Sequence, residues 1–154
     1  MVQLGPEAER RPHVLLVARS MIQDNEGNIL VIKRSKRDSY NPSLWEFPGG
    51  KIDPGQDVHH AIEREILEEA GIVIDSFSRI VYVQSEIIME GKYSGLPYLV
   101  IVGMSNAVNK DVHLGAEHEA YKWVKPEEAL RLELAPETRK ALIVLRENSR
   151  DIGS

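Results

Sequence analysis

Along most of the chain, apolar positions come in short runs separated by polar, turn-forming clusters. His13 to Ile22 is apolar and β-branched enough for a strand, and Ile29-Leu30-Val31-Ile32 for a second. Asp24-Asn25-Glu26-Gly27-Asn28 between them is a turn signal, so the pair reads as a hairpin. Leu44 to Phe47 is a short strand, and Gly49 to Gln56, with adjacent glycines and Pro54-Gly55, a turn-rich loop. The period then changes. Val58, Ile62 and Ile66 recur every four residues, Asp57 is a good N-cap, and Gly71 stands where helices stop, which predicts a helix between those caps.

Past the helix, Ile72 to Ile74 and Ile80 to Met89 read as strands, and Glu90 to Gly95 as a loop. The second run alternates, with Ile80, Tyr82 and Gln84 on one face and Val81, Val83 and Ser85 on the other. Tyr98 to Met104 is apolar throughout, as suits a central strand buried on both faces. Val108 to Gly115 is irregular, and Glu119 to Val124 is one more strand. Pro126 at the first helical position opens a short helix, Glu127 to Leu132, and Pro136 opens the last, to about Glu147, with Ala141, Leu142 and Leu145 as its apolar side. Residues 1–11 and 148–154 read as loose tails. Mixed strands with one helix in the middle and helices at the end indicate an α/β fold, a mixed sheet with helices on both sides. The 154 residues are the size of one domain, and no repeat or linker divides them.

Composition removes several function classes. There is no cysteine, so disulfides, thiol catalysis and thiolate metal sites are excluded. A formal charge of −5 argues against general nucleic-acid binding. The longest apolar runs are far short of a membrane span, and the polar N-terminus has no signal-peptide core, so a cytoplasmic protein is expected.

The polar face of the 57–71 helix is unusual. Glu65, Glu68 and Glu69 stand at i, i+3 and i+4, so their carboxylates share one face. Like charges at that spacing cost a helix roughly 0.2–0.5 kcal/mol per pair, and Arg64 offsets part of this through Glu68. A plain solvated face is one reading. The other is a site for a hard cation, which takes oxygen ligands and is shared with substrate phosphates.

The spacing favours the second. Gly50, five residues, position 56, seven residues, then Arg64-Glu65-Ile66-Leu67-Glu68-Glu69-Ala70-Gly71-Ile72 resembles the signature of the Nudix hydrolases. Every specified position matches except one: Gln56 stands where the family has Glu. Leu44-Trp45-Glu46-Phe47-Pro48 is similar to the lead-in common in this family. The resemblance implies a Nudix-type α/β/α sandwich with a mixed central sheet. It also implies a pyrophosphatase activity, the metal-dependent hydrolysis of a nucleoside diphosphate linked to another group, by water attack at phosphorus.

Carried over by position, Glu65 and Glu69 would be metal ligands, Glu68 a ligand or the holder of metal-bound water, and Gly49 a carbonyl ligand. Arg64 would orient Glu65, and Gln56 would still accept a hydrogen bond from Arg64. Magnesium is the expected ion, with manganese as the alternative. Family members often add a carboxylate from a later loop; Glu117, just before a strand, is preferred over Glu119, within it. His118 stays open for a site role, while His59 and His60 read as surface residues. Of the basic strand end, Lys36 and Arg37 read as solvated, and Arg34 as either solvated or in contact with substrate phosphate or base. Trp45 reads as a core anchor.

The substrate is less determined. Ile88, sixteen residues past the motif, is neither the proline that suggests ADP-ribose nor the tyrosine that suggests dinucleoside polyphosphates. The short chain leans towards nucleoside triphosphates or modified nucleotides. Nucleotide sugars, or a binding module that has lost catalysis, are the alternatives, and a homodimer is left open.

Overall fold

The computed structural model describes residues 3–9 and 13–153, with side chains up to residue 148. Positions 1, 2, 10 and 11 of the expected N-terminal tail, and position 154 of the expected C-terminal one, lie outside the described residues. Within the first tail is one exposed helical turn, α1, Pro6–Glu9.

The sheet is organised on β1, Leu15–Gln23. Along one edge it pairs in parallel with β6, Pro97–Asn106, from Leu15 opposite Tyr98 to Gln23 opposite Asn106. Along the other it pairs antiparallel with β4, Gly49–Ile52, from Leu16 opposite Ile52 to Arg19 opposite Gly49. Because β4 occupies that edge, the expected hairpin closes only at its base: β2, Ile29–Arg34, meets β1 at the single pair Gln23–Ile29. It then diverges to pair antiparallel with β7, His118–Val124, and with β3, Trp45–Glu46. The far edge is β5, Ile80–Ile87, antiparallel to β6. A register shift between Ile80 and Tyr82 breaks the expected alternation, so Val81 and Tyr82 both pack inward.

Two helices cover opposite faces. α2, Val58–Ala70, buries Ala61, Ile62, Ile66 and Ala70 against Ala18, Ile22, Leu30 and Ile32. Its ends are as the sequence implies. The Asp57 carboxylate accepts from the His60 N–H, and Gly71 takes the left-handed conformation (φ 69°), donating back to the Leu67 carbonyl. On the other face α4, Pro136–Gly153, buries Ala141 and Leu142 against Met21, Val100 and Val102. β2 serves both cores, Leu30 and Ile32 in one and Ile29 and Val31 in the other, hence its unbroken apolar run. Trp45 is 8% exposed in the second core, the anchor expected of it. The result is a mixed sheet between helices, an α/β/α sandwich.

Four local expectations are corrected. The first residues of the 49–56 loop form β4, because Gly49 can lie against β1 where a side chain could not. Ile72 to Ile74 is no strand; only Ile74 bridges, to Ala107. The short helix α3 is Pro126–Ala129, closed by a turn before Leu132. The last helix does not fray at 148 but runs to Gly153. Among the described residues no helix is long and apolar enough to cross a membrane.

Candidate active site

Backbone contact brings the glycine pair against the glutamate face of α2. A side chain on Gly49 would meet the Ala18 carbonyl oxygen at 2.1 Å and the Arg19 Cα at 2.6 Å, so only glycine allows β4 this close to β1. A Cβ on Gly50 would come within 2.6 Å of Glu65 Oε2. The absent side chain is therefore the space in which the Glu65 carboxylate lies. The Gly49 N–H points at Glu69 Oε1, 3.4 Å away.

The three glutamates of the face sit in different surroundings. Glu68 is 64% exposed at its side chain, with Arg64 Nε 3.8 Å from its Oε1. Glu65 is 25% exposed, 3.4 Å from Arg64 Nη2. Burial and the neighbouring Glu68 push its carboxyl up, against the pull of Arg64. Glu69 is 14% exposed, and burial raises it to about 8, helped by Glu46 and Glu117 and opposed by Arg19 and the Gly49 N–H. Its charged form is thus short of positive partners, and the carboxylates of this face, oxygen donors only, fit a hard divalent cation.

Arg64 approaches Glu65, as the sequence suggested, and Glu68 as well. Gln56 bonds differently from expectation. Its Oε1 accepts from the Asp53 N–H at 2.8 Å and closes the turn, so the oxygen offered to Arg64 is taken locally. Gln56 and Arg64 do line one open surface recess together with Asp57, His60 and Ala61.

Glu117 is exposed just before β7 and adds its negative charge to the field at Glu69. Glu119 faces away and pairs with Lys33 at 3.8 Å. The β2–β7 ladder explains the divergence. Lys33 opposes Ala120 but Arg34 opposes His118, so the pairing skips Glu119 and re-aims the residues on either side. Arg34 spends its donors inside the protein: Nε on the Tyr40 carbonyl at 2.9 Å, Nη1 on Glu46 at 2.9 Å and Nη2 on Asp38 at 2.6 Å. It buttresses the site from behind rather than projecting into solvent.

A buried layer beneath Glu69 was not anticipated. Glu46, fully buried, is flanked by Arg34, by Arg19 Nη2 at 3.6 Å and by His118 Nε2 at 2.8 Å. Burial opposes its charge, but Arg19, the His118 hydrogen bond and Arg34 outweigh that and hold it at about 2. Arg19 also lies 3.3 Å from Glu137, buried in the first turn of α4, and donates to the Phe47 carbonyl at 3.1 Å. The available signal was a charge inside an apolar strand: Arg19 within 15–23 and Glu46 within 44–47.

A family model, the NUDIX domain, matches residues 13–145. The chain belongs to the Nudix family. It is a Nudix-type pyrophosphohydrolase. Its sequence is similar to that of the nucleoside triphosphatase NudI of Escherichia coli O81 (strain ED1a), 27% identical over 77% of this chain and 87% of that one. In structure it is similar to the MutT protein of Methanosarcina mazei Go1, with a TM-score of 0.75 and 28% identity over 90% of this chain and 97% of that one. The E. coli ORF135 protein in solution gives a TM-score of 0.68 and 26% identity, over 92% and 94% of the two chains. The sandwich read from the sequence is thus the Nudix sandwich, with the signature segment of this chain as β4, its following turn and α2.

Proposed function

We propose that this Nudix domain, acting as one catalytic unit, hydrolyses nucleoside triphosphates or modified nucleotides with magnesium, or manganese in its place. The observation that carries the reading is the face of α2, where Glu65, Glu68 and the under-partnered Glu69 stand beside Gly49 and Gly50. The similarity to a nucleoside triphosphatase supports the choice of substrate over nucleotide sugars. The net charge of −5 supports a small nucleotide, rather than a nucleic acid, as partner; the setting proposed for it is the cytoplasm.

A divalent cation held here would supply neutralisation of phosphate charge and a lowered pKa for its bound water. Glu65 and Glu69 would hold it, with the Gly49 carbonyl; Glu68 would be a further ligand or orient the attacking water. Arg64 restrains Glu65 and Glu68. Glu117 is the added carboxylate, able to take the proton as water adds to phosphorus. The phosphoanhydride P–O bond breaks, its electron pair going to the leaving phosphate oxygen. Arg34 serves the substrate side indirectly, through the Tyr40 segment and Glu46 that it holds.

A panel of nucleoside triphosphates, dinucleoside polyphosphates and nucleotide sugars, each assayed for phosphate and pyrophosphate release with and without magnesium, tests this. Magnesium-dependent release from triphosphates is expected. Binding of nucleotides without any turnover would make the domain a sensor instead.

A further inference from the structure

His118, Glu46 and Glu69 each offer an atom within 4.8 Å of the others, the arrangement of a buried metal site. The surroundings oppose that use. Glu46 already faces the guanidiniums of Arg34 at 2.9 Å and Arg19 at 3.6 Å, and a third positive charge there would meet two buried cations. Those same cations keep Glu46 an anion. An anionic oxygen 2.8 Å from His118 Nε2 requires a proton on that nitrogen, because two lone pairs would repel. His118 Nδ1 is buried without a hydrogen-bond partner. The hydrogen that the geometry calls for is therefore the one on Nε2, facing Glu46.

That N–H also lies 3.8 Å from Glu69 Oε1, the oxygen approached by the Gly49 N–H. The skipped pairing at Glu119 is what turns the His118 ring inward, where it is fully buried at its side chain. We propose that His118 is a positioning residue and not a ligand: its Nε2–H, anchored on Glu46, keeps Glu69 Oε1 turned towards the protein so that the other oxygen is presented for the cation.

This rests on Glu69 being a metal ligand, and the test separates the two claims. Manganese binding to the full chain, freed of metal and without nucleotide, is followed by electron paramagnetic resonance for wild type, His118→Gln, His118→Asn and His118→Phe. Glutamine can set an amide N–H near the place of Nε2; asparagine sets it near Nδ1, and phenylalanine removes it. Wild type and His118→Gln are expected to bind alike, with His118→Asn and His118→Phe about tenfold weaker or more. At saturating manganese the KM for nucleotide should be unchanged in all four. If His118→Phe does not fold, the contrast between glutamine and asparagine decides. Unchanged binding in every variant overturns the proposal, and so does a His118→Gln protein as weak as His118→Asn, which would make the imidazole itself the ligand. A wild type that binds no manganese overturns the metal reading first, and shows it with no substitution made.

Discussion

Asp24 and Glu69 are both carboxylates drawn largely out of water, and the protein treats them in opposite ways. Asp24, just past β1, is surrounded by donors. Its Oδ1 accepts from the N–H groups of Glu26 and Asn28 at 2.8 and 2.9 Å, and its Oδ2 from Asn28 Nδ2 at 3.1 Å and Lys110 Nζ at 2.7 Å. Burial disfavours its charge, yet Lys110 and the Asn28 and Glu26 bonds win, and its pKa falls well below the ordinary aspartate value. Glu69 has one long bond from Gly49 and a second donor at 3.8 Å, and it is raised to about 8. An acid whose lone pairs are all answered holds a turn together. An acid left short of donors costs the metal-free protein stability and has capacity for a cation that arrives later.

Replacing the under-partnered acid should have the largest effect on chemistry. Glu69→Gln is expected to lower turnover by about a thousandfold or more, roughly 4 kcal/mol of barrier. The metal-free protein should stay as stable or become more so, since a buried acid whose charged form is poorly answered is gone. Kinetics paired with thermal unfolding in chelator check this; a large loss of metal-free stability would make Glu69 a structural acid like Asp24.

Asp24→Ala should do the reverse. Loss of charge-assisted bonds at a buried turn is expected to cost about 2–3 kcal/mol of stability, read from denaturant unfolding, with kcat per folded molecule unchanged. The same residue sharpens the contrast in acid. Its folded pKa is depressed, so the unfolded chain takes up the proton first as pH falls. Its contribution is therefore complete above about pH 4 and is lost as pH falls below that towards its lower folded value. The stability-against-pH curve of Asp24→Ala should lack that part of the acid slope; an identical slope would remove Asp24 from the account.

The two loop acids refine the comparison further. Glu117 acts on Glu69, whereas Glu119 is tied to Lys33. Glu117→Gln should slow turnover about tenfold or more, and Glu119→Gln within about twofold, or well under 1 kcal/mol of barrier. The opposite ranking would transfer the role. Smallest of all is Gln56→Glu. Because the Asp53 N–H already holds this side chain, the added charge should change turnover by less than about tenfold, or ~1.4 kcal/mol. If an inert natural protein is switched on by it, position 56 is catalytic.

The chain itself settled whatever depends on near neighbours. Asp57, the Val58-Ile62-Ile66 stripe and Gly71 specify α2 with its caps, because helix bonds and i, i+4 contacts are local. That Glu65, Glu68 and Glu69 share one face of that helix was legible from their spacing, while Gly50 and Arg64 were read with them from the family resemblance, since one loop and one helix carry all five. The apolar run at 98–104 announced a strand covered on both sides for the same reason. What tertiary structure alone decided are pairings between distant segments. β4 displaced β2 from the edge of β1, and the skip at Glu119 turned His118 inward and Glu119 out. Arg19, Glu46, Glu137 and His118 come from four separate elements, so no spacing along the chain could show that they share one buried layer. The charges of Arg19 and Glu46 in it are tolerable only because each partner is already present when the chain closes, and that is a property of the fold rather than of any segment.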